Sequence, residues 1–262
     1  MMLPDADKVG QIIAEIAATE VMPYFEKLGD GDITEKRPGD LVTVADVATE
    51  KRLSAALADL LPGALVVGEE AVASDARVLD ALAGEASVWL IDPIDGTANF
   101  AGGIPVFAVM VALIRHGRAA MGWIHDPVNR RTATTAAGEG AWLDGKRLAV
   151  APANGASGAR LGNRRLARRT AGRTDLVETV FNYRCAGHEY IALASGAAQF
   201  AYYNRLFPWD HAPGELLHRE AGGFAARLDG SSYTPREIDR GLLLAPDELS
   251  WRALRSALSE PE

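Results

Sequence analysis

The stretch from Trp89 to Phe100, WLIDPIDGTANF, constrains this chain more than any other. Val88 to Ile91 is short, apolar and partly β-branched, which suits a strand buried on both faces. Pro93 has no N–H to give a sheet ladder, so the strand is predicted to end near Asp92. Asp92 then stands at the carboxyl end of a strand, where open α/β sheets place their ligands. Asp95 follows across a turn, Gly96 lets the backbone approach a ligand closely, and Thr97 offers a hydroxyl and an N–H at the start of a helical turn. Two acids and two donors are thereby set at one strand end. Without its neighbours the same D-P-x-D-G-T text is an ordinary solvated turn; the tryptophan and apolar run before it mark a turn that leaves the core.

The same logic recurs upstream. Ala64 to Gly68 is apolar and β-prone after Pro62-Gly63, so Glu69 and Glu70 also emerge at a strand end, although paired glutamates on a surface are commonly just solvated. Before them, Lys36 to Asp40 read as a mobile loop, and Asp46 precedes an amphipathic run from Val47 to Leu61, where it could equally be a helix N-cap. The chain opens with a helix starting at Leu3-Pro4-Asp5, whose apolar positions Val9, Ile12, Ile13, Ile16, Ala17 and Val21 repeat at helical spacing. Asp5, Asp7, Lys8 and Glu15 interrupt it, so neither a signal peptide nor a membrane span is expected there.

Beyond the central motif come four β-rich segments, PVFAVMVALIRHG, RAAMGWIHDP, RRTATTAAGEG and AWLDGKRL, which predict an antiparallel meander. His116 and His125 lack ligand spacing and are assigned no role. The loose stretch Ala151 to Arg160 is the candidate boundary between an amino-terminal α+β half, residues 1–150, and a carboxyl-terminal α/β half, residues 151–262. In the second half, Asn163 to Arg173 holds five arginines. With no interleaved aromatics, it reads as a solvated helix face rather than a nucleic-acid site. A strand at Leu176–Tyr183, a helix at His188–Ser195 and a strand at Gln199–Tyr203 follow. Trp209-Asp210 then opens a helix closed by Gly222-Gly223, with Asp210 a possible N-cap. The net charge of -8 argues against a general nucleic-acid or membrane-surface binder and suits a site that gathers carboxylates around cations. A single cysteine, Cys185, excludes an internal disulfide and fits a reducing cytoplasm.

Four motifs, in order along the chain, carry a resemblance: K-x-x-G-D-L-V-T-x-A-D-x-x-x-E, G-E-E, W-L-I-D-P-I-D-G-T-x-N-F and W-D-x-A-x-G with a following E-A-G-G. Together they resemble the inositol monophosphatase family of magnesium-dependent, lithium-sensitive phosphatases. The resemblance implies a layered α/β sandwich of alternating helix and sheet layers, with the site between the two halves. It implies two or three Mg2+ ions, one held by Glu69, Asp92 and the carbonyl of Ile94, another by Asp92, Asp95 and Asp210. Glu69 and Thr97 are then catalytic, holding the attacking water, with Asp46 orienting Thr97. The N–H groups of Gly96 and Thr97 cradle the phosphate. Glu70, His211, His218, Pro213 and Glu220 are left to supporting or packing roles.

The resemblance further implies a small phosphorylated metabolite as substrate, in the class of inositol 1-phosphate, and a homodimer. It leaves open histidinol phosphatases, 3'(2'),5'-bisphosphate nucleotidases and sugar bisphosphatases, and, outside enzymes, a binding role in a transcription complex. One region departs from the pattern. Inositol-specific members carry a glutamate before the W-D motif and a small Gly-Thr-Ala step upstream, whereas here Asn204 and Arg205 fall at the first place and His188 and Glu189 at the second. Asp95, Gly96, Thr97, Glu189, Arg205 and Asp210 are therefore the expected substrate contacts. Arg205 is expected to meet a second anionic group, and Glu189 an amine or hydroxyl.

Overall fold

The computed structural model describes residues 3–155, 160–161, 180–238 and 241–259. The first helix, α1 (Ala6–Ile16), is capped by Asp5, whose carboxylate accepts the N–H groups of Asp7 and Lys8. The helical path continues through one wider-wound turn, Ala17–Val21. Next, β1 (Ile33–Arg37) and β2 (Asp40–Thr43) pair as an antiparallel hairpin, so the expected loop around Lys36 to Asp40 reduces to a turn between two strands. The helix α2 (Val44–Leu60) starts at a capping box: Thr43 is the N-cap, and Asp46, three residues on, returns a bond to the Thr43 N–H.

A seven-stranded sheet follows, made of β3 (Leu65–Gly68), β4 (Val88–Asp95), β5 (Ala108–Arg115), β6 (Arg118–Asp126), β7 (Arg131–Ala136), β8 (Gly140–Leu143) and β9 (Lys146–Arg147) in chain order. The β3–β4 pair is parallel and the remaining pairs are antiparallel, the predicted meander. β4 runs on through Pro93 to Asp95, beyond the predicted end at Asp92. Its register shifts between Asp92 and Asp95, and such an irregularity is where a sheet tolerates a missing N–H.

The second sheet has the order β11 (Val180–Phe181), β10 (Arg160–Leu161), β12 (Phe200–Tyr203), β14 (Leu242–Ala245) and β13 (Phe224–Arg227). Between the sheets lie α5 (Ala186–Ala194) and α6 (Pro208–Glu220), and α7 (Glu248–Ser259) covers the outer face of the second sheet. The arginine-rich run Asn163 to Arg173 and most of the predicted strand from Leu176 lie outside the described residues.

Strand periodicity decides the layering. Trp89, Ile91, Val109, Val111 and Leu113 point to α1 and α2, packing with Val9, Ile13, Leu53 and Leu57. Their neighbours Val88, Leu90, Met110, Ala112 and Ile114 point the other way, onto Tyr190 and Leu193 of α5 and Leu216 and Leu217 of α6. Ala201, Leu242 and Leu244 close that middle layer from the second sheet, while Phe200, Leu243 and Ala245 meet Trp251 and Leu254 of α7. Helix, sheet, helix, sheet and helix thus alternate, and both faces of β4 and β5 are buried, which explains their unbroken apolar runs. Trp89 and Trp123 stack obliquely with centroids 5.9 Å apart in the first layer, where truncation of either costs about 3–5 kcal/mol. Among the described residues no helix is long and apolar enough to cross a membrane.

Candidate metal and phosphate centre

Parallel pairing of β3 with β4 sets Gly68 opposite Ile91, so the next residues, Glu69 and Asp92, lie side by side at the same sheet edge. The short helix α3 (Glu69–Ser74) begins at that point, and α4 (Thr97–Ala101) begins two residues after β4 ends. Gly96, between β4 and α4, has φ +88°, and a Cβ there would stand 3.1 Å from the Val106 carbonyl and 3.2 Å from Cys185. Both the left-handed backbone and the close approach require glycine. Asp210 enters from α6, whose first residue is Pro208. Phe207 is the N-cap, so Asp210 lies inside the first turn rather than capping it.

Electrostatics shows which acids the fold gathers. Burial pushes Asp92 far above the usual carboxylate range, and the charges of Glu69, Asp95, Asp210 and Asp46 push it further. Asp210 is raised by burial and by Asp95 and Glu69, with the Asp92 carboxyl near enough to hydrogen-bond it. Burial lifts Glu69 to about 7, against the pull of the Lys36 ammonium. Asp95 is raised by burial but eased by donors from the start of α5, the Cys185 thiol at 2.9 Å and the Gly187 N–H at 2.6 Å, both on Oδ2. Asp92 Oδ1 is buried with no hydrogen-bond partner. An acceptor in that state carries a desolvation cost of about 1–3 kcal/mol unless something positive meets it.

The cage expected from sequence is gathered but not closed. Among the described residues no three acidic, imidazole or thiol groups converge tightly enough to hold one ion. Two of the acids are turned to local partners instead: Glu69 Oε1 to Lys36 Nζ at 2.7 Å, and Asp95 Oδ2 to the Cys185 thiol and the Gly187 N–H. Like charges stay apart unless a cation intervenes, and among the described residues Lys36 is the cation that meets Glu69. It also reaches Glu70 at 2.9 Å, and these pairings raise its pKa although burial opposes them. The donor chemistry, all carboxylate and carbonyl oxygen with one orphaned buried acceptor, fits a hard divalent ion.

Two expected contacts are replaced by others. Asp46 does not hold Thr97: its Oδ2 accepts the Thr43 hydroxyl at 2.6 Å and the Thr43 N–H at 2.8 Å, because the capping box of α2 claims it. Burial still raises it to about 7, and its Oδ1 has no partner. Thr97 donates its hydroxyl to the Ile94 carbonyl at 3.0 Å, so the two residues assigned to water and metal are engaged with each other. Glu189 is not open to a substrate. It is buried at 8 % exposure against the Tyr203 hydroxyl, and burial lifts it to about 7. Arg205 is exposed, its guanidinium 4.8 Å above the Phe207 ring, while its carbonyl accepts a bond from His211 Nε2 at 2.9 Å.

The supporting residues fall as expected: His211 and His218 are buried, and Glu220 accepts the Gly138 and Gly140 N–H groups at 3.0 Å each. Sequence reasoning missed the contacts of Lys36 and Cys185. The lysine opens the first motif, which was a signal, but nothing in the text of Cys185 marks a thiol aimed at Asp95. Asn99 was also passed over; its amide donates to the carbonyls of Val106 and Tyr183 at 2.8 Å each, tying the central motif to the second half.

The model of the inositol monophosphatase family matches residues 5–260. An inositol-1-monophosphatase of Mesorhizobium japonicum is 33% identical over 249 residues, covering 90% of each chain. A protein of Pseudomonas aeruginosa named Nus factor SuhB is 31% identical, covering 94% of this chain and 92% of its own. Among solved structures, inositol monophosphatase II from Staphylococcus aureus superposes with a TM-score of 0.80 over 96% of this chain and 95% of its own, at 24% identity.

Proposed function

Since the chain belongs to the inositol monophosphatase family, we propose that it is a magnesium-dependent phosphomonoesterase acting on a small phosphorylated polyol or sugar-like metabolite. The observation that carries this reading is Asp92, buried, with an oxygen short of a partner, and raised by four other acids, three of them from other elements. Glu69, Asp92, Asp95, Asp210 and the Ile94 carbonyl would hold the ions. Bound there, magnesium supplies acidification of a water and charge stabilisation for the oxygen that leaves phosphorus. Glu69, set beside Asp92 at the strand ends, would be placed to take a proton from the attacking water. The Thr97 hydroxyl orients that water, and the Gly96 and Thr97 N–H groups bind the phosphate oxygens. A protein of this kind would work in the cytoplasm as a homodimer.

Arg205 favours phosphate esters with a second anionic group, because its exposed guanidinium makes no ion pair among the described residues. Inositol 1-phosphate is then a substrate but not the preferred one; histidinol phosphate and 3'(2'),5'-bisphosphate nucleotides belong in the same panel. The test is phosphate release across that panel with magnesium, with chelator and with lithium. Full activity in excess chelator overturns the magnesium reading. Inositol 1-phosphate ranking first by a wide margin in kcat/KM overturns the role of Arg205. The relatives named Nus factor support a second reading, a binding role in a transcription complex, which partner capture undiminished by Asp92→Asn would favour.

A further inference from the structure

The helix α2 buries two acids one turn apart on the face it turns to the sheet edge, Asp46 and Glu50. Asp46 caps its own helix; Glu50 caps another. Glu50 Oε2 accepts the Glu70 N–H at 2.7 Å and Oε1 accepts the Ala71 N–H at 2.9 Å, the second and third residues of α3. Gly68, the residue at the cap position, has no side chain to do this, and the fold makes room for one from elsewhere: a Cβ on Gly68 would stand 2.2 Å from Glu50 Cδ. The backbone at Gly68 is ordinary, φ -105° and ψ 156°, so glycine is required there for space and not for conformation. A six-residue helix cannot hold its own first turn, and its direction is set by whatever binds its free N–H groups. Here that is Glu50, 20 residues earlier in the chain, and the residue whose direction is fixed is Glu69.

We infer that Glu50 is a positioning residue of the metal centre: by clamping the start of α3 it aims the Glu69 carboxylate at the edge where Asp92 stands. The inference rests on the reading of Glu69 as a metal ligand. It gives Glu50 no contact with metal or substrate, and it makes Gly68 its partner.

Three single variants and one double variant test it in the full chain. Magnesium binding is followed by calorimetry, and amide exchange at Glu70 and Ala71 is followed without metal. Glu50→Ala should weaken magnesium binding about tenfold or more, the usual cost of losing a group that orients a ligand. Glu50→Gln should fall between it and the unaltered chain, since an amide keeps one acceptor. Gly68→Ala should weaken binding as Glu50→Ala does, with every charge in place, by pushing the carboxylate off the two N–H groups. Exchange at Glu70 and Ala71 should accelerate in both alanine variants. The double variant should bind no worse than Glu50→Ala, because the added methyl then enters space the carboxylate has left; losses that add would overturn the inference.

A merely structural Glu50 would lower the melting temperature and leave magnesium affinity equal across the series, which also overturns it. If Glu50→Ala does not fold, Glu50→Gln and Gly68→Ala decide between the same outcomes. An unaltered chain that takes up no magnesium would sink the proposed function and this inference together. Tight binding in the unaltered chain and in Gly68→Ala alike would sink the inference alone.

Discussion

Two aspartates end up buried at the same edge of the seven-stranded sheet with opposite fates. Asp126 closes β6 and is fully buried, yet it accepts the Asn129 N–H at 3.0 Å, the Asn129 amide at 2.7 Å and Arg131 Nε at 2.9 Å, with His188 3.7 Å away. Burial pushes its pKa up, but these donors more than offset it, and the carboxyl is held below its ordinary value. Asp92, on β4, is as deeply buried, has an oxygen with no partner, and is surrounded by acids that raise it well above that value. The tight turn after β6 supplies its acid with donors; the turn after β4 brings Asp95 instead. A buried carboxylate given donors by the local chain is part of the scaffold, whereas one denied them and set among like charges is complete only with a cation.

The largest expected effect breaks this symmetry directly. Asp92→Asn should lower phosphate release by at least about a hundredfold, since loss of a mere orienting group near a metal already costs 10–100-fold. The same variant should melt higher than the unaltered protein when metal-free at neutral pH, because it removes a charge the fold does not satisfy. A lower melting temperature would put Asp92 in the scaffold class. Asp126→Asn should behave in reverse, losing about 1–3 kcal/mol of stability in urea titrations while magnesium affinity is unchanged. Weakened magnesium binding in that variant would erase the distinction.

Thr97→Ala should reduce kcat about tenfold, within the range for a single positioning group near a metal, and leave calorimetric magnesium affinity intact. A loss equal to that of Asp92→Asn would mean the roles are misassigned.

The smallest effect sharpens the comparison through pH. Glu189 belongs with Asp92, its folded pKa raised by burial from 4.5 to about 7. Its contribution is therefore fully present below pH 4.5 and is lost as pH rises through about 7. Asp126, lowered, contributes above 3.8 and loses that contribution as pH falls. The buried His211 and His218, lowered to about 4, also lose theirs as pH falls from 6.5. Glu189→Gln should accordingly gain stability relative to the unaltered protein as pH rises from 4.5 to 7, by up to about 1.4 kcal/mol per pH unit. A difference that stays flat across that range in urea midpoints would show that Glu189 keeps its charge in the fold.

Much of the architecture was legible because it depends on local chemistry. The apolar runs of β4 and β5, the meander, the capped first helix and the helix opened by Trp209 all follow from periodicity and turn residues close in the chain. The acids of the centre were legible too, since each stands where a strand or a helix changes into something else. Boundaries misled where tertiary pairing overrode local preference, as in β4 running through Pro93 at a register shift and in Lys36 lying on a paired strand before a turn at Pro38-Gly39.

Partnership was not legible, because a hydrogen bond between distant residues leaves no trace in either one's neighbourhood. Asp46 could be read as a cap or as a support for Thr97, and only the fold shows its carboxylate on Thr43. Glu189 looked like a free acid until α5 and β12 buried it beside Tyr203. Glu50 and Gly68 look unrelated in the text, and only their approach in space shows one to be the reason for the other. The sequence by itself determined which segments form strands and helices and which acids stand at their ends, because those depend on residues a few positions apart. Which acids are supplied with donors and which are left to seek a cation was decided by the tertiary structure, because desolvation and opposing charge exist only once distant segments have closed around them.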